Sequence, residues 1–70
     1  MTDRYVELNA FLRRYGKLAT GGQAKKMIQS GMIAVNGMIE TRNKRKLHAG
    51  DVVSLGDERW SVTSEDTRQS

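Results

Sequence analysis

The 70-residue chain carries 12 Lys and Arg against 8 Asp and Glu, a net charge of +4 at pH 7, and 37% of its residues are hydrophobic. A chain of this size buries only about 60% of the surface its unfolded form exposes, which leaves room for one small core but not for a catalytic domain with a deep cleft. It has no cysteine, no apolar run of about 18 residues and no signal-peptide pattern, so we expect a cytoplasmic protein without disulfides, thiolate metal sites or membrane contact.

The first predicted element is an amphipathic helix, because apolar residues recur at intervals of three and four. Its predicted stripe consists of Leu8, Phe11, Leu12 and Tyr15. A second helix is predicted to begin at Thr20, which with Gln23 has the spacing of a capping box, and to end at Gly31. Residues 1–6 form either a frayed end or a brief strand. The short connection between the helices predicts that they are neighbours in space.

Two β-hairpins are predicted after the helices. Ile33 and Val35 precede Asn36-Gly37, the pair most typical of a type I′ turn, and residues 38–40 form the returning strand. Residues 52–55 and 59–62 form the second hairpin around a turn at 56–57. We therefore expect an α+β fold, with two helices packed on a small, mostly antiparallel sheet of about three to five short strands. Residues 1–62 are predicted to form one domain and residues 63–70 a frayed polar tail.

Positive charge is concentrated in the middle of the chain. Residues 8–50 contain nine Lys and Arg and one acid, Glu40, whereas residues 51–70 contain two bases and five acids. Charge clustered on one part of a fold attracts phosphate, so the pattern favours a polyanionic partner, and the alternative is a solvated basic surface without one.

The densest charge lies at residues 41–46, where four of six residues are cations and none is apolar. We expect an exposed loop whose self-repulsion is relieved only by solvent, salt or an anionic partner, and whose cations can be removed without loss of stability. Glycines and free amides at the start of the second helix suit a phosphate, although the glycines could instead allow close helix packing and Gln29 could be solvated. The candidate binding residues are Lys17, Gly21, Gly22, Lys25, Lys26, Gln29, Arg42, Lys44, Arg45 and Lys46.

Other chemistry has no candidate residues. His48 is the single histidine, so we expect no metal site, and no nucleophile stands beside an identifiable base. The Walker A spacing is absent. Trp60 is expected to close the core and Asn36 to serve its turn. The sequence therefore predicts no enzyme, cofactor, metal or small-molecule substrate.

Several short strings, taken together in order and spacing, resemble the alpha-L RNA-binding motif, the domain type first known from ribosomal small-subunit protein S-four. They cover about residues 7–55 and resemble the small stand-alone bacterial members. The strings are Leu8-x-x-Phe11-Leu12, Gly21-Gly22-Gln23-Ala24-Lys25, Ile28-x-x-Gly31, Ile33-x-Val35-Asn36-Gly37, Arg42-x-Lys44-Arg45-Lys46 and Gly50-Asp51-x-Val53. Two departures remove cations that many members carry: Glu7-Leu8-Asn9 replaces Arg-Leu-Asp, and Gly22-Gln23 replaces Ser-Arg. Because of these departures, we expect residues 42–46 to contribute a larger share of the binding.

The resemblance implies two helices on a small sheet and a positive face that grips structured RNA. Ribosomal RNA is the implied partner, in ribosome assembly or translation, with transfer RNA and ribosomal subunits as further candidates. The matching positions are Lys17, Lys25, Lys26, Arg42, Lys44, Arg45 and Lys46. Many relatives carry an attached catalytic domain, and we expect none in this chain. The alternatives are an adaptor that docks an acidic protein and a binder of duplex DNA.

Overall fold

The computed structural model describes residues 4–15 and 21–68. Helix α1 spans Leu8–Tyr15 and helix α2 spans Gly21–Gln29. Leu8, Phe11 and Leu12 are buried as the stripe predicts, but Tyr15 at the end of α1 is 39% exposed. Thr20, the predicted cap of α2, lies outside the described residues.

Helix α2 is terminated by the predicted glycine, Gly31, two residues after Gln29. Gly31 has a φ of 81°, and its N–H donates to the carbonyl of Ile28 at 3.1 Å while that of Met32 donates to Met27 at 3.2 Å. These bonds satisfy carbonyls that the helix leaves open at its end, and glycine adopts the required left-handed backbone without a Cβ clash. Ala24 and Ile28 are buried on the face of α2 that turns inward.

Both hairpins form where the sequence predicts them. Strands β2 (Ile33–Val35) and β3 (Met38–Ile39) are joined at Asn36 and Gly37, whose φ angles of 53° and 83° are those of a type I′ turn. Strands β5 (Val52–Leu55) and β6 (Glu58–Ser61) form the second hairpin. Pairing of β2 with β5 joins the two into an antiparallel sheet of order β3-β2-β5-β6.

A second, two-stranded sheet joins a strand near the start of the chain to the end of the basic loop. Strand β1 (Val6–Glu7) pairs antiparallel with β4 (Lys46–Leu47), and Val6 stands opposite Leu47. The α+β fold class is thus confirmed, and the described residues contain six short strands in two sheets. Eleven buried apolar residues form one core between helices and sheets. They are Val6, Leu8, Phe11, Leu12, Ala24, Ile28, Ile33, Val35, Leu47, Val53 and Val62. Trp60 packs against this core while remaining partly exposed.

The chain end differs from the frayed tail predicted for residues 63–70. Asp66–Arg68 form a 3-10 turn in which Asp66 and Thr67 are buried. The carboxylate of Asp66 accepts the N–H of Thr63 at 2.8 Å and its hydroxyl at 2.9 Å, while the hydroxyl of Thr63 accepts the N–H of Asp66 at 3.3 Å. This reciprocal capping is a local signal that the polar composition of the segment conceals. Residues 69 and 70 lie outside the described residues.

Candidate nucleic-acid interface

Four predicted cations line one open depression of about 620 Å³. We call Arg42, Lys44, Arg45 and Lys46 the loop patch. Their segment is fixed to the start of helix α1, since the N–H groups of Leu8 and Asn9 donate to the carbonyls of Arg45 and Asn43 at 2.9 and 3.1 Å. The first amides of a helix have no partner within it, so these bonds stabilise helix and loop together. The loop patch is therefore held by the fold before any ligand arrives.

Glu40 lies behind the loop patch and is only 7% exposed. Its Oε1 accepts Arg45 Nη1 at 2.7 Å, and its Oε2 accepts Nε and the backbone N–H of Arg42 at 3.1 and 2.9 Å. The hydrogen bond from the Arg42 side chain, and next in size that from Arg45, lower the pKa of Glu40 from 4.5 to about 2. The same contact raises the pKa of Arg42.

The expectation that only solvent, salt or an external anion relieves repulsion in this loop is therefore wrong. Glu40 is an internal counter-ion for two of the four cations. A signal for it stands in the sequence, because Glu40 is the one acid among nine bases between residues 8 and 50. Periodicity could not predict that Glu40 is buried, since the two residues of strand β3 directly before it are exposed.

The two lysines of the loop patch have different surroundings. Lys46 Nζ lies 4.8 Å from the centroid of the Tyr5 ring, a cation–π distance that links the loop patch to the chain start. Lys44 is exposed and makes no ion pair with a residue in the described ranges. Lys44 is thus the cation whose charge is least compensated within this loop.

A second depression, of about 430 Å³, lies along the exposed side of helix α2. We call its lining the helix patch: Gly22, Gln23, Lys25, Lys26 and Gln29. Lys25 and Lys26 are exposed on the side of α2 away from the buried Ala24 and Ile28. The sequence did not single out Gln23 as a lining residue, although its place between Gly22 and Lys25 on an exposed helix face is a usable signal.

Eight of the ten predicted site residues line one of the two patches. Four line the loop patch, and four (Gly22, Lys25, Lys26 and Gln29) line the helix patch. Gly21 is the first residue of α2, and Lys17 lies outside the described residues. The two patches are separate depressions, so a single continuous positive face stays a prediction.

Asn36 does more than form its turn. Its Oδ1 accepts the N–H of Val52 at 2.9 Å, and its Nδ2 donates to Asp51 Oδ1 at 3.1 Å. Burial raises the pKa of Asp51, but hydrogen bonds from the backbone of His48 and from Asn36 outweigh it and leave that pKa lowered. The turn at Asn36 is therefore clamped to the start of strand β5.

Within residues 4–15 and 21–68, no group of three or more His, Asp and Glu side chains is placed to hold a metal ion. Among the helices that the structure describes, none has the length and apolar character needed to cross a bilayer.

Comparison with known proteins gives a consistent result. A family model described as "S4 domain" matches residues 1–63. A protein of Escherichia coli strain K12, named "Putative RNA-binding protein YbcJ", is 42% identical over 51 residues, which is 73% of each chain. A protein of Shigella flexneri, named "Uncharacterized protein YbcJ", has the same identity and coverage.

Proposed function

The chain belongs to the S4 domain family, and from that premise we propose that it is a non-catalytic protein that binds structured RNA through the loop patch and the helix patch. The observation that carries the proposal is the loop patch itself. Four cations line one depression and their backbone is bonded to helix α1. A prearranged set of cations binds phosphates at a lower entropic cost than a mobile one.

The chemistry of the two patches suits a nucleic-acid backbone. Arginine donates two parallel hydrogen bonds to a phosphate, and lysine acts as a compact point charge. The major groove of double-stranded RNA is too deep and narrow for side chains to read its base edges, so an exposed basic surface recognises the spacing of phosphates more than base sequence. We propose that the helix patch positions one phosphate and that the loop patch supplies most of the attraction.

Ribosomal RNA is the partner that we propose, with transfer RNA as the second candidate and a role in ribosome assembly or translation. Supporting it are the S4 domain match and the name of the Escherichia coli relative, which describes that relative as an RNA-binding protein. Crosslinking in cells followed by sequencing of the bound RNA would identify the species. Recovery of messenger RNA without ribosomal or transfer RNA would contradict this assignment.

The test of RNA binding itself is its salt dependence. With a fluorescent synthetic stem-loop RNA, neutralising about four to six phosphates gives a slope of roughly −3 to −5 for log K against log[salt]. A flat salt dependence would overturn the mechanism. A DNA duplex of equal length should bind more weakly, because its groove and phosphate geometry differ. Equal binding would favour a general binder of duplexes.

A second candidate function is docking of an acidic protein. Met38 and Ile39, which directly precede Glu40 and the loop patch, are 74% and 64% exposed. Exposed apolar side chains beside cations suit a protein surface. Capture experiments with and without ribonuclease discriminate the two functions, since a protein-mediated complex survives the nuclease.

A further inference from the structure

We propose that Glu40 is a positioning residue for phosphate recognition: its carboxylate holds the guanidinium groups of Arg42 and Arg45 side by side, so that their remaining N–H donors bind the RNA backbone. The inference rests on the proposed RNA binding by the loop patch. It assigns to the one acid of the basic region a role in binding rather than in charge balance alone.

The geometry begins with a shared oxygen. Oε1 of Glu40 accepts Nη2 of Arg42 at 3.4 Å and Nη1 of Arg45 at 2.7 Å, so both guanidinium groups meet at one atom. Nε of Arg42 bonds to the other oxygen at 3.1 Å. Each guanidinium has five N–H donors. More than half of those donors therefore make no hydrogen bond to the described residues.

The carboxylate is itself fixed. The backbone N–H of Glu40 donates to the carbonyl of Ile33 at 2.9 Å, which continues the pairing of the first hairpin. The N–H of Arg42 donates to Oε2 at 2.9 Å. Glu40 is thus a buried anchor at the edge of the sheet, whereas the Arg42 side chain is 76% exposed and that of Arg45 is 31% exposed.

Both arginines also line the loop patch depression. An exposed arginine held by nothing would lose its rotamer freedom on binding, and this loss weakens affinity. A buried carboxylate that holds it from behind removes much of that loss. The donors of both guanidinium groups are then oriented before a phosphate binds, and each group can donate two parallel N–H bonds to it, the strong geometry for arginine.

Glu40 has two opposing effects on binding an anion. Its negative charge weakens the attraction of the loop patch for phosphate, whereas its hydrogen bonds order the two arginines. If charge balance were its whole role, neutralising Glu40 would tighten RNA binding. If positioning dominates, as we propose, neutralising it weakens RNA binding although the protein becomes more positive.

The experiment compares Glu40→Gln with Glu58→Gln, which makes the same change in net charge on strand β6 at the opposite edge of the sheet from β3. Both are titrated with the synthetic stem-loop RNA at several salt concentrations. We expect Glu58→Gln to bind as tightly as the unaltered chain or slightly tighter. We expect Glu40→Gln to bind at least about fivefold more weakly, since ordering two arginines is left to the binding step. Its salt slope should fall in magnitude by about 1.

Tighter binding by Glu40→Gln, matching Glu58→Gln, would overturn the inference while leaving the proposed RNA binding intact. Absence of binding by the unaltered chain would instead overturn the proposed function. Thermal melts define a temperature at which all variants are folded, and the titrations are made there.

A measurement on the unaltered chain covers the case in which Glu40→Gln does not fold. In NMR titrations with the same RNA, the side-chain N–H signals of Arg42 and Arg45 should shift while the carboxyl carbon of Glu40 keeps its position. Movement of that carbon to the value of a free carboxylate would show that RNA displaces Glu40. Glu40 would then mask the arginines, and the proposal would be wrong.

Discussion

The phenol hydroxyl of Tyr15 donates a hydrogen bond to the carboxylate of Asp66, which lies 51 residues later in the chain. Asp66 is almost fully buried and also accepts two hydrogen bonds from Thr63. Burial raises the pKa of Asp66, but the hydrogen bonds from Tyr15 and Thr63 outweigh it, so that the pKa is lowered. The bond to Asp66 raises the pKa of Tyr15. The C-terminal turn is therefore attached to the end of helix α1.

The first prediction concerns this attachment. Asp66→Ala should destabilise the protein by roughly 1 to 3 kcal/mol, because the Thr63 amide and hydroxyl lose their acceptor. Urea denaturation followed by circular dichroism measures the change, and Ser64→Ala, at an exposed position of the same turn, is the matched control. Equal midpoints for Asp66→Ala and Ser64→Ala would show that the hydrogen bonds of Asp66 contribute nothing to stability.

The second prediction concerns acid stability. The pKa of Glu40 is about 2 in the folded protein, against 4.5 ordinarily. The stability that its ionised carboxylate contributes is therefore fully present above about pH 4.5 and is lost as the pH falls toward 2. Glu40→Gln should therefore flatten the loss of stability across that window. Melting temperatures measured from pH 5 down to about 2 test this. Parallel curves for both proteins would assign the acid loss to other carboxylates, with Asp66 and its lowered pKa as the first candidate.

The third prediction separates the roles of the loop cations. Arg42→Ala with Arg45→Ala should lower stability by roughly 1 to 3 kcal/mol, because the buried Glu40 carboxylate loses its charged partners. Lys44→Ala should leave stability unchanged, since Lys44 is exposed and makes no ion pair with the described residues. Thermal melts compare them. A melting temperature for the double variant equal to that of Lys44→Ala would restore the expectation that all four cations are dispensable for folding.

The fourth prediction concerns the helix patch. Lys25→Ala with Lys26→Ala should weaken binding of the synthetic stem-loop RNA and reduce the magnitude of the salt slope by about 1 to 2, because two phosphate contacts are removed. Stability should be retained, since both lysines are exposed and alanine favours helix. Arg59→Ala is the control for charge outside the two patches. An unchanged salt slope in the Lys25 and Lys26 variant would restrict the interface to the loop patch.

The fifth prediction concerns Asn36. Asn36→Gly keeps the positive φ but removes the side-chain bonds to Asp51 and Val52, so it should cost about 0.5 to 1.5 kcal/mol. Asn36→Ala should cost about 1 to 2 kcal/mol more, since alanine is strained in the left-handed region. Chemical denaturation of both variants tests the order. If Asn36→Gly were as stable as the unaltered chain, the clamp on strand β5 would contribute nothing.

Much of the fold could be predicted because its signals are local. The apolar spacing of Leu8, Phe11 and Leu12 gives a buried helical face, and Asn36-Gly37 specifies its turn by backbone preference alone. Strand β4 could not be predicted, because two residues carry no periodicity and its pairing partner, β1, precedes both helices and the first hairpin in the sequence. The basic composition of residues 41–46 also gave no indication that Glu40, just before them, is buried and bonded to two of their cations.

The sequence by itself determined the α+β class, the two hairpins, the family and the concentration of cations. These properties depend on spacing, composition and turn chemistry, which are written along the chain. Only the tertiary structure decided which charges are compensated. Glu40 accepts hydrogen bonds from Arg42 and Arg45, and Asp66 accepts one from the hydroxyl of Tyr15. The physical reason is that an ion pair depends on distance and burial in space. Both are set by how the strands and helices pack, and neither is encoded in the residue types alone.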